Sequence, residues 1–390
     1  MLQATRNRCH GQGPALEPFK NLLNPALVRE AAAQLGRHGD FDAPAFVRAA
    51  TGGLEALEMK ARALQIAAAL EATLPPRFDE AARLVEAALA PAHAEDGAPT
   101  AGGLEQGLRG WILWPVGEFV ARRGLAEPER ALATLHALTQ RFTAEFAIRP
   151  LIVAHPALVF RTLQGWTADP SPHVRRLVSE GSRPRLPWGL QLKALVRDPT
   201  PTLPLLRALQ DDGSEYVRRS VANHLNDIAK DHPGLVAAWL HEHLPGAGPE
   251  RRALLRHASR TLVKAGDPAV LQAWGLGQPF RGEATLQLAP GRIRLGEAVE
   301  LVLQLHGRAA QPQRLVIDYA VHHVKADGST SPKVFKGWNL ELPARGNLRL
   351  QKRHAVRPIT TRRYFEGVHR VVVQVNGRAV AEAAFELRMA

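Results

Sequence analysis

Apolar positions recur three or four residues apart up to about Gly277, as in Leu54, Leu57, Ala61, Leu64 and Ala68, with Pro or Gly interrupting every fifteen to twenty-five residues. That spacing lines one face of a helix, so this part of the chain is expected to be all-α. After Phe280 the period drops to two: Val299, Leu301, Leu303 and Leu305 alternate with Glu300, Val302, Gln304 and His306, and Val371, Val373 and Val375 with Val372, Gln374 and Asn376. Seven strands are expected, near residues 284–289, 298–306, 314–324, 334–342, 348–356, 369–375 and 379–388. The last two flank Asn376-Gly377, a pair suited to the two positive φ angles of a type I′ hairpin turn. So many short strands in about 110 residues suggest an all-β immunoglobulin-like sandwich.

Within the helical part, Asp169-Pro-Ser-Pro-His-Val174-Arg175-Arg176-Leu-Val178 is echoed by Asp212-Gly-Ser-Glu-Tyr-Val217-Arg218-Arg219-Ser-Val221, displaced by 43 residues. That displacement falls in the range of HEAT and armadillo repeats. In each copy the Asp and Ser can serve a helix start and the two valines sit four apart on its buried stripe, while the paired arginines are expected to project away from it. A HEAT-like helical repeat solenoid with a basic side follows. The expected organisation is a flexible N-terminus over residues 1–18, a solenoid over 19–277 and the sandwich over 281–390.

At 390 residues two folding units are the default, and 45% hydrophobic with 22% charged residues excludes wholesale disorder. Fifty Lys and Arg against thirty-seven Asp and Glu leave a formal charge of +13, which makes nucleic acid the leading partner class. From residue 281 onward there are eighteen Lys and Arg against nine Asp and Glu, so the sandwich holds nine of those thirteen charges. The single cysteine, Cys9, cannot form an internal disulfide, and no zinc-ligand spacing occurs, so no metal or other cofactor is expected. The first thirty residues lack the apolar core of a signal peptide, and no run of eighteen apolar residues exists, which points to a cytoplasmic protein without a membrane partner.

Several stretches carry a closer likeness. They are Phe19-Lys-Asn-Leu-Leu-Asn-Pro-Ala-Leu-Val28, Leu57-Glu-Met-Lys-Ala-Arg62, the run from Glu145-Phe-Ala-Ile-Arg149-Pro150 through Ser179-Glu-Gly-Ser-Arg-Pro-Arg-Leu-Pro-Trp188, and Glu215-Tyr-Val-Arg-Arg-Ser-Val-Ala-Asn223-His-Leu-Asn226-Asp227-Ile. A further one is Lys352-Arg-His-Ala-Val-Arg-Pro-Ile-Thr-Thr-Arg-Arg-Tyr364. Together they resemble, over nearly the whole chain, the alkylpurine DNA glycosylases of the AlkC and AlkD HEAT-like repeat family, specifically the AlkC branch with an added immunoglobulin-like domain. The resemblance implies hydrolysis of the N-glycosidic bond of cationic bases such as 3-methyladenine, 3-methylcytosine and 1-methyladenine. It also implies recognition that leaves the lesion within the DNA, unlike the usual base flipping.

A base alkylated on a ring nitrogen already carries positive charge and leaves without a general acid, so one or two carboxylates beside the sugar cation suffice. Glu118 is the first candidate, because Trp111, Trp114 and Glu118 lie three and four apart and an aromatic wall ending in a carboxylate suits a cationic base. Trp114 with Glu118 also resembles the AlkD arrangement of Trp followed four residues later by a catalytic Asp. Where the family commonly has an acidic residue after Phe-Ala-Ile-Arg-Pro, this chain has Val153. Asp198 is the named substitute, with Glu145, Asp211 and Asp227 behind it. Trp166 and Trp188 join Trp114 as expected lesion or sugar contacts.

Arg149, Arg175, Arg176, Arg183, Arg185, Arg218 and Arg219 are expected to meet phosphates, with Lys352, Arg353, Arg357, Arg362 and Arg363 of the sandwich gripping the opposite side of a double-stranded DNA carrying alkylated bases. Asn223 and Asn226 are read as satisfying backbone groups between helices. A monomer without an obligate protein partner, on the nucleoid when bound to DNA, is expected. The rival reading is a HEAT-repeat binder of damaged or branched DNA that has lost its chemistry.

Overall fold

The computed structural model describes residues 18–92, 103–359 and 362–389. Of the expected flexible terminus only Pro18 is among them, and Cys9, Thr360 and Thr361 lie outside the described residues. The chain forms two compact units that divide between Val221 and Ala222, inside helix Glu215–Ile228. Helices occupy the first unit, and the second begins with helices and ends in strands.

Local chemistry starts the first helices. Asn24 accepts the amide of Leu27 at 2.9 Å to open helix Pro25–Leu35, and Asp42 accepts that of Ala45 at 2.9 Å to open helix Ala43–Thr51. Each has its proline in the first turn, where no amide is needed. Helix Met59–Thr73 departs from the expected stripe: its buried residues are Ala63, Ile66, Ala67, Ala69 and Leu70, with Arg62, while Ala68 is exposed. In so Ala-rich a segment the apolar pattern fits several faces, and the neighbouring helices choose one. Arg62 is buried and donates to the carbonyls of Lys20, Leu23, Glu55 and Leu57, so two of the stretches that carried the resemblance meet at its guanidinium.

The 43-residue repeat is visible in the hydrogen bonds. Asp169 accepts the amide of Ser171 and Asp212 that of Ser214, both at 2.8 Å, ahead of helices Pro172–Gly181 and Glu215–Ile228. Val174, Val178, Val217 and Val221 are fully buried, as the pattern requires. The arginines behave otherwise. Arg175 turns back onto the carbonyls of Asp169 and Pro170, and Arg218 makes the same turn onto those of Asp212 and Gly213.

Among the described residues of the second unit, eight strands form two sheets: β1 (Gly282–Ala289), β2 (Arg292–Arg294), β3 (Ala298–Gly307), β4 (Gln313–Val324), β5 (Thr330–Leu342), β6 (Asn347–Ala355), β7 (Gly367–Val375) and β8 (Arg378–Arg388). The sheet orders are β1-β3-β6 and β2-β8-β7-β4-β5. Seven of these match the strands expected from alternation. The extra one, β2, is three residues long and pairs parallel with β8, too short for a period to show. Val299, Leu301, Leu303 and Leu305 face Val371, Val373, Val375, Phe385 and Leu387 within one apolar core. Asn376 and Gly377 take φ of 49° and 74°, closing the β7–β8 hairpin as their identities imply. The Asn376 side chain also bonds Val316, Arg314 and Gln278, which pins the hairpin to β4.

Candidate active site

Helix Leu113–Arg123 presents the expected carboxylate. The indole Nε1 of Trp114 donates to Glu118 Oε1 at 3.2 Å, across the single turn that separates residues four apart. Trp114 is 4% exposed and stacks on Phe146 with ring centroids 5.1 Å apart. Trp111, in the 3-10 turn before the helix, lies 6.4 Å from Trp114, 4.9 Å from Phe142 and 4.7 Å from Phe19. Buried packing thus immobilises Trp114, while Glu118 stays half-buried.

Trp188 extends this wall. Its ring is 5.8 Å from Phe19, it is 65% exposed, and its backbone takes φ of 65°. A bulky residue in the left-handed region costs of order 1 kcal/mol, and an indole left in water forfeits its own burial. Such doubly unfavourable placement marks a residue arranged for contact rather than for packing. Phe19 is itself 44% exposed and joins Trp188 to Trp111; it stands in a stretch that carries the resemblance, but nothing in its spacing placed it beside the tryptophans. Trp166, by contrast, lies against His136 at 5.3 Å, beside the His136–Asp169 pair at 2.7 Å.

Most of the arginines expected at phosphates are committed to the protein. Arg149 is 0% exposed and donates to the carbonyls of Leu190 and Gly181, so it has no surface to offer DNA. Arg175 forks onto Asp212. Arg176 bonds Thr143 and Glu145, both at 3.1 Å, and lies over the Tyr216 ring. Arg183 is buried against Glu180 at 2.6 Å, which also accepts from Ser220 at 2.6 Å. Burial pushes the Glu180 carboxyl up, but Arg176, Arg183 and the Ser220 hydroxyl outweigh it and hold the group below the usual range. Glu180 is therefore the centre of an ion network that draws in Arg176 and Arg183, two of the arginines expected at phosphates. The physical reason is desolvation: cations packed between helices recover lost hydration from carboxylates and carbonyls. Arg218 is half-buried on its repeat's carbonyls, Arg185 is half-buried, and Arg219 is exposed.

The second carboxylate finds no clear holder. Val153 sits 61% exposed on helix Ile148–Ala154. Asp198 is exposed after helix Lys193–Arg197 and accepts the amide of Thr200 at 3.0 Å, an Asx turn. Glu145 is bound to Arg176, and Asp227 to Lys230 at 2.8 Å. Asn223 and Asn226 bond side chains rather than backbone: His257 and Arg260 for the first, Thr261 for the second.

In the sandwich, Arg353, Arg357 and Arg363 are exposed. Lys352 is tied down, donating to the carbonyls of Lys336 and Gly337 and lying over Trp338. Arg362 lies 5.9 Å over Tyr364 and Arg363 5.4 Å over Phe365. Among the described residues no helix is long and apolar enough to cross a membrane, and no group of three or more His, Cys, Asp or Glu could hold a metal ion.

The family described as "Uncharacterised protein YhaZ, C-terminal Ig-like domain" matches residues 283–389. The chain is 35% identical over 336 residues to the uncharacterized protein YhaZ of Bacillus subtilis (strain 168), covering 85% of this chain and 88% of that one. It superposes with a TM-score of 0.86 on Pseudomonas fluorescens alkylpurine DNA glycosylase AlkC bound to DNA containing an abasic site analog, at 34% identity, covering 95% of this chain and 99% of that one. The chain belongs to the AlkC family of DNA glycosylases, in the branch with a C-terminal immunoglobulin-like domain.

Proposed function

We propose that this protein is a monofunctional glycosylase that removes cationic N-alkylated bases, 3-methyladenine, 3-methylcytosine and 1-methyladenine, from double-stranded DNA, acting as a monomer in the cytoplasm without a cofactor. The observation that carries this reading is Glu118, half-buried and fixed by Trp114 at the end of an aromatic wall. In the reaction the C1′–N bond breaks, the positively charged ring takes the bonding pair and leaves neutral, and a water oxygen bonds to C1′. Glu118 stabilises the sugar cation and accepts the proton of the attacking water. At about 4 Å and an effective dielectric near 20, a carboxylate and a unit positive charge attract by about 4 kcal/mol, or about a thousandfold in rate if realised only in the transition state. Trp188 would lie against the lesion or its sugar while the base stays within the DNA, and Arg219, with Arg353, Arg357 and Arg363, would supply phosphate contacts.

One observation favours a second reading. Val153 offers an exposed methyl surface where the family pattern commonly has an acid, which would suit a binder of damaged DNA that no longer cuts. Incubating the full chain with methylated DNA and identifying the released bases separates the two. Free 3-methylated bases support the enzyme; tight binding without release supports the binder.

A further inference from the structure

The second unit contains a cavity of about 240 Å³ at which helices Pro249–Ala258 and Arg260–Ala265 and Trp274 meet strands β4 and β5. Its lining is strongly one-sided in charge. Arg252, Arg256, Lys264, Arg314 and Lys336 all border it, and Asp318 is the one carboxylate there. Among the described residues, none of these five cations has a carboxylate within ion-pair distance. Arg260 also lines the cavity, but it is held by His257 and Asn223. Arg252, Arg256, Arg314 and Lys336 are exposed and Lys264 is half-buried, so the rim of the cavity concentrates positive potential that favours an anion entering from solvent. Burial pushes the Asp318 carboxyl up, against the opposing pull of the Gly337 amide and of Lys264, Lys336 and Lys352.

The walls add a second chemistry. Trp274 and Trp338 both border the cavity. Each indole is held in place: Trp274 donates Nε1 to Ser259 at 3.0 Å with Arg256 over its ring at 5.5 Å, and Trp338 has Lys352 over its ring at 5.7 Å. Between them the backbone of Gly337 passes so close to Ile317 that a Cβ there would lie 2.4 Å from its carbonyl oxygen, which fixes the bulge that carries Lys336 and Trp338. Charged donors for a phosphate together with flat aromatic faces for a ring are what a nucleotide needs, whereas an acidic peptide would use the charge and leave the indoles without purpose. The volume suits one such unit rather than a helix of DNA, which is far wider than the cavity.

We propose that this cavity binds a single nucleotide unit, its phosphate held by Arg252, Arg256, Lys264, Arg314 and Lys336 and its base lying against Trp274 or Trp338. The site is separate from Glu118 and does not depend on the glycosylase reading. The nucleotide comes either free or as one residue of a single strand, and both sources present the same phosphate and ring.

The test is calorimetric titration of the undamaged full-length chain with AMP, adenosine, inorganic phosphate and a 5′-phosphorylated four-nucleotide DNA strand, in parallel with a polyglutamate peptide. Saturable binding of AMP or of the strand is expected, with adenosine at least tenfold weaker. AMP binding identifies a free nucleotide as a source, and binding of the strand alone identifies a nucleic-acid end. The double variant Arg256→Gln, Lys336→Gln should weaken binding at least tenfold while melting within a few degrees of the wild type. Trp274→Phe and Trp338→Phe, which keep fold and charge, should together remove ligand-induced quenching of tryptophan emission. Failure of AMP and the strand to bind, binding that these variants leave unchanged, or tighter binding of polyglutamate than of AMP and the strand would each overturn the proposal, and none of these readouts involves base release.

Discussion

The guanidinium of Arg175 forks onto the carboxylate of Asp212, with Nε to Oδ2 at 2.6 Å and Nη2 to Oδ1 at 3.0 Å. Asp212 is the counterpart, one repeat later, of the Asp169 whose carbonyl the same arginine also holds. The pair therefore ties the helix of one copy to the helix start of the next, which is how a repeat array gains cooperativity from neighbour contacts.

Arg175→Gln is expected to lower stability by about 2–4 kcal/mol, because Asp212, whose side chain is 5% exposed, would be left without its bidentate partner. Urea denaturation midpoints measure this. DNA affinity of the folded protein should stay close to the wild type; a large loss of affinity at unchanged stability would make Arg175 a phosphate ligand after all.

The exposed cations should behave in the opposite way. Arg219→Gln, and Arg353→Gln, Arg357→Gln and Arg363→Gln in the sandwich, should each change stability by less than about 0.5 kcal/mol and reduce the log-log salt slope of DNA binding by about 0.9 per lost phosphate contact. Binding isotherms across a salt series give the slope. An unchanged slope for the three sandwich variants together would remove that domain from the DNA interface.

Glu118→Gln keeps the shape and the bond from Trp114 but removes the charge. Single-turnover base release should slow by roughly two to three orders of magnitude, with DNA affinity little altered. A rate equal to the wild type would move the chemistry to another group.

The sandwich should weaken in mild acid. His354 and His323 are buried, and burial first, with the nearby Arg362 second, pulls their pKa down to about 4 and about 3. His369 is also lowered by its burial. Since these folded values lie below the unfolded value near 6.5, the unfolded chain binds more protons between them. Stability is thus highest above pH 6.5 and declines as pH falls toward 4, by about 2 kcal/mol each for His323 and His354 between pH 6.5 and 5. Melting curves at pH 7.5, 6.5 and 5 should show the decline, and His323→Leu, at a ring whose two nitrogens lack partners, should flatten it. Equal melting temperatures at pH 7.5 and 5 would contradict the assignment.

Gly377 has φ of 74°, and a Cβ on it would lie 2.4 Å from the Cα of Gly266, which itself ends helix Arg260–Ala265 with φ of 75°. Gly377→Ala should cost at least about 2 kcal/mol, read from the melting temperature. Ending the chain at Gly277 removes the same contact, so the helices from Pro233 to Ala273 should lose stability with it. A truncated chain that melts like the full one would show these helices to be independent of the strands.

Sequence alone determined the switch from helices to strands, seven of the eight described strands, the Asn376-Gly377 turn and the 43-residue repeat, because each depends on spacing along the chain or on the φ preferences of single residues. Spacing also put Trp114 and Glu118 on one helix turn. The fate of the arginines was decided only in three dimensions. Arg175, Arg176 and Arg183 look identical in sequence to Arg219, yet three are drawn into ion pairs and one faces water, since a cation's role depends on which carboxylates and carbonyls the packing brings within about 3 Å. The same holds for the aromatic wall: Phe19, Trp111, Phe142, Phe146 and Trp188 are spread across the first unit in sequence and meet only through tertiary packing, which no periodic pattern records.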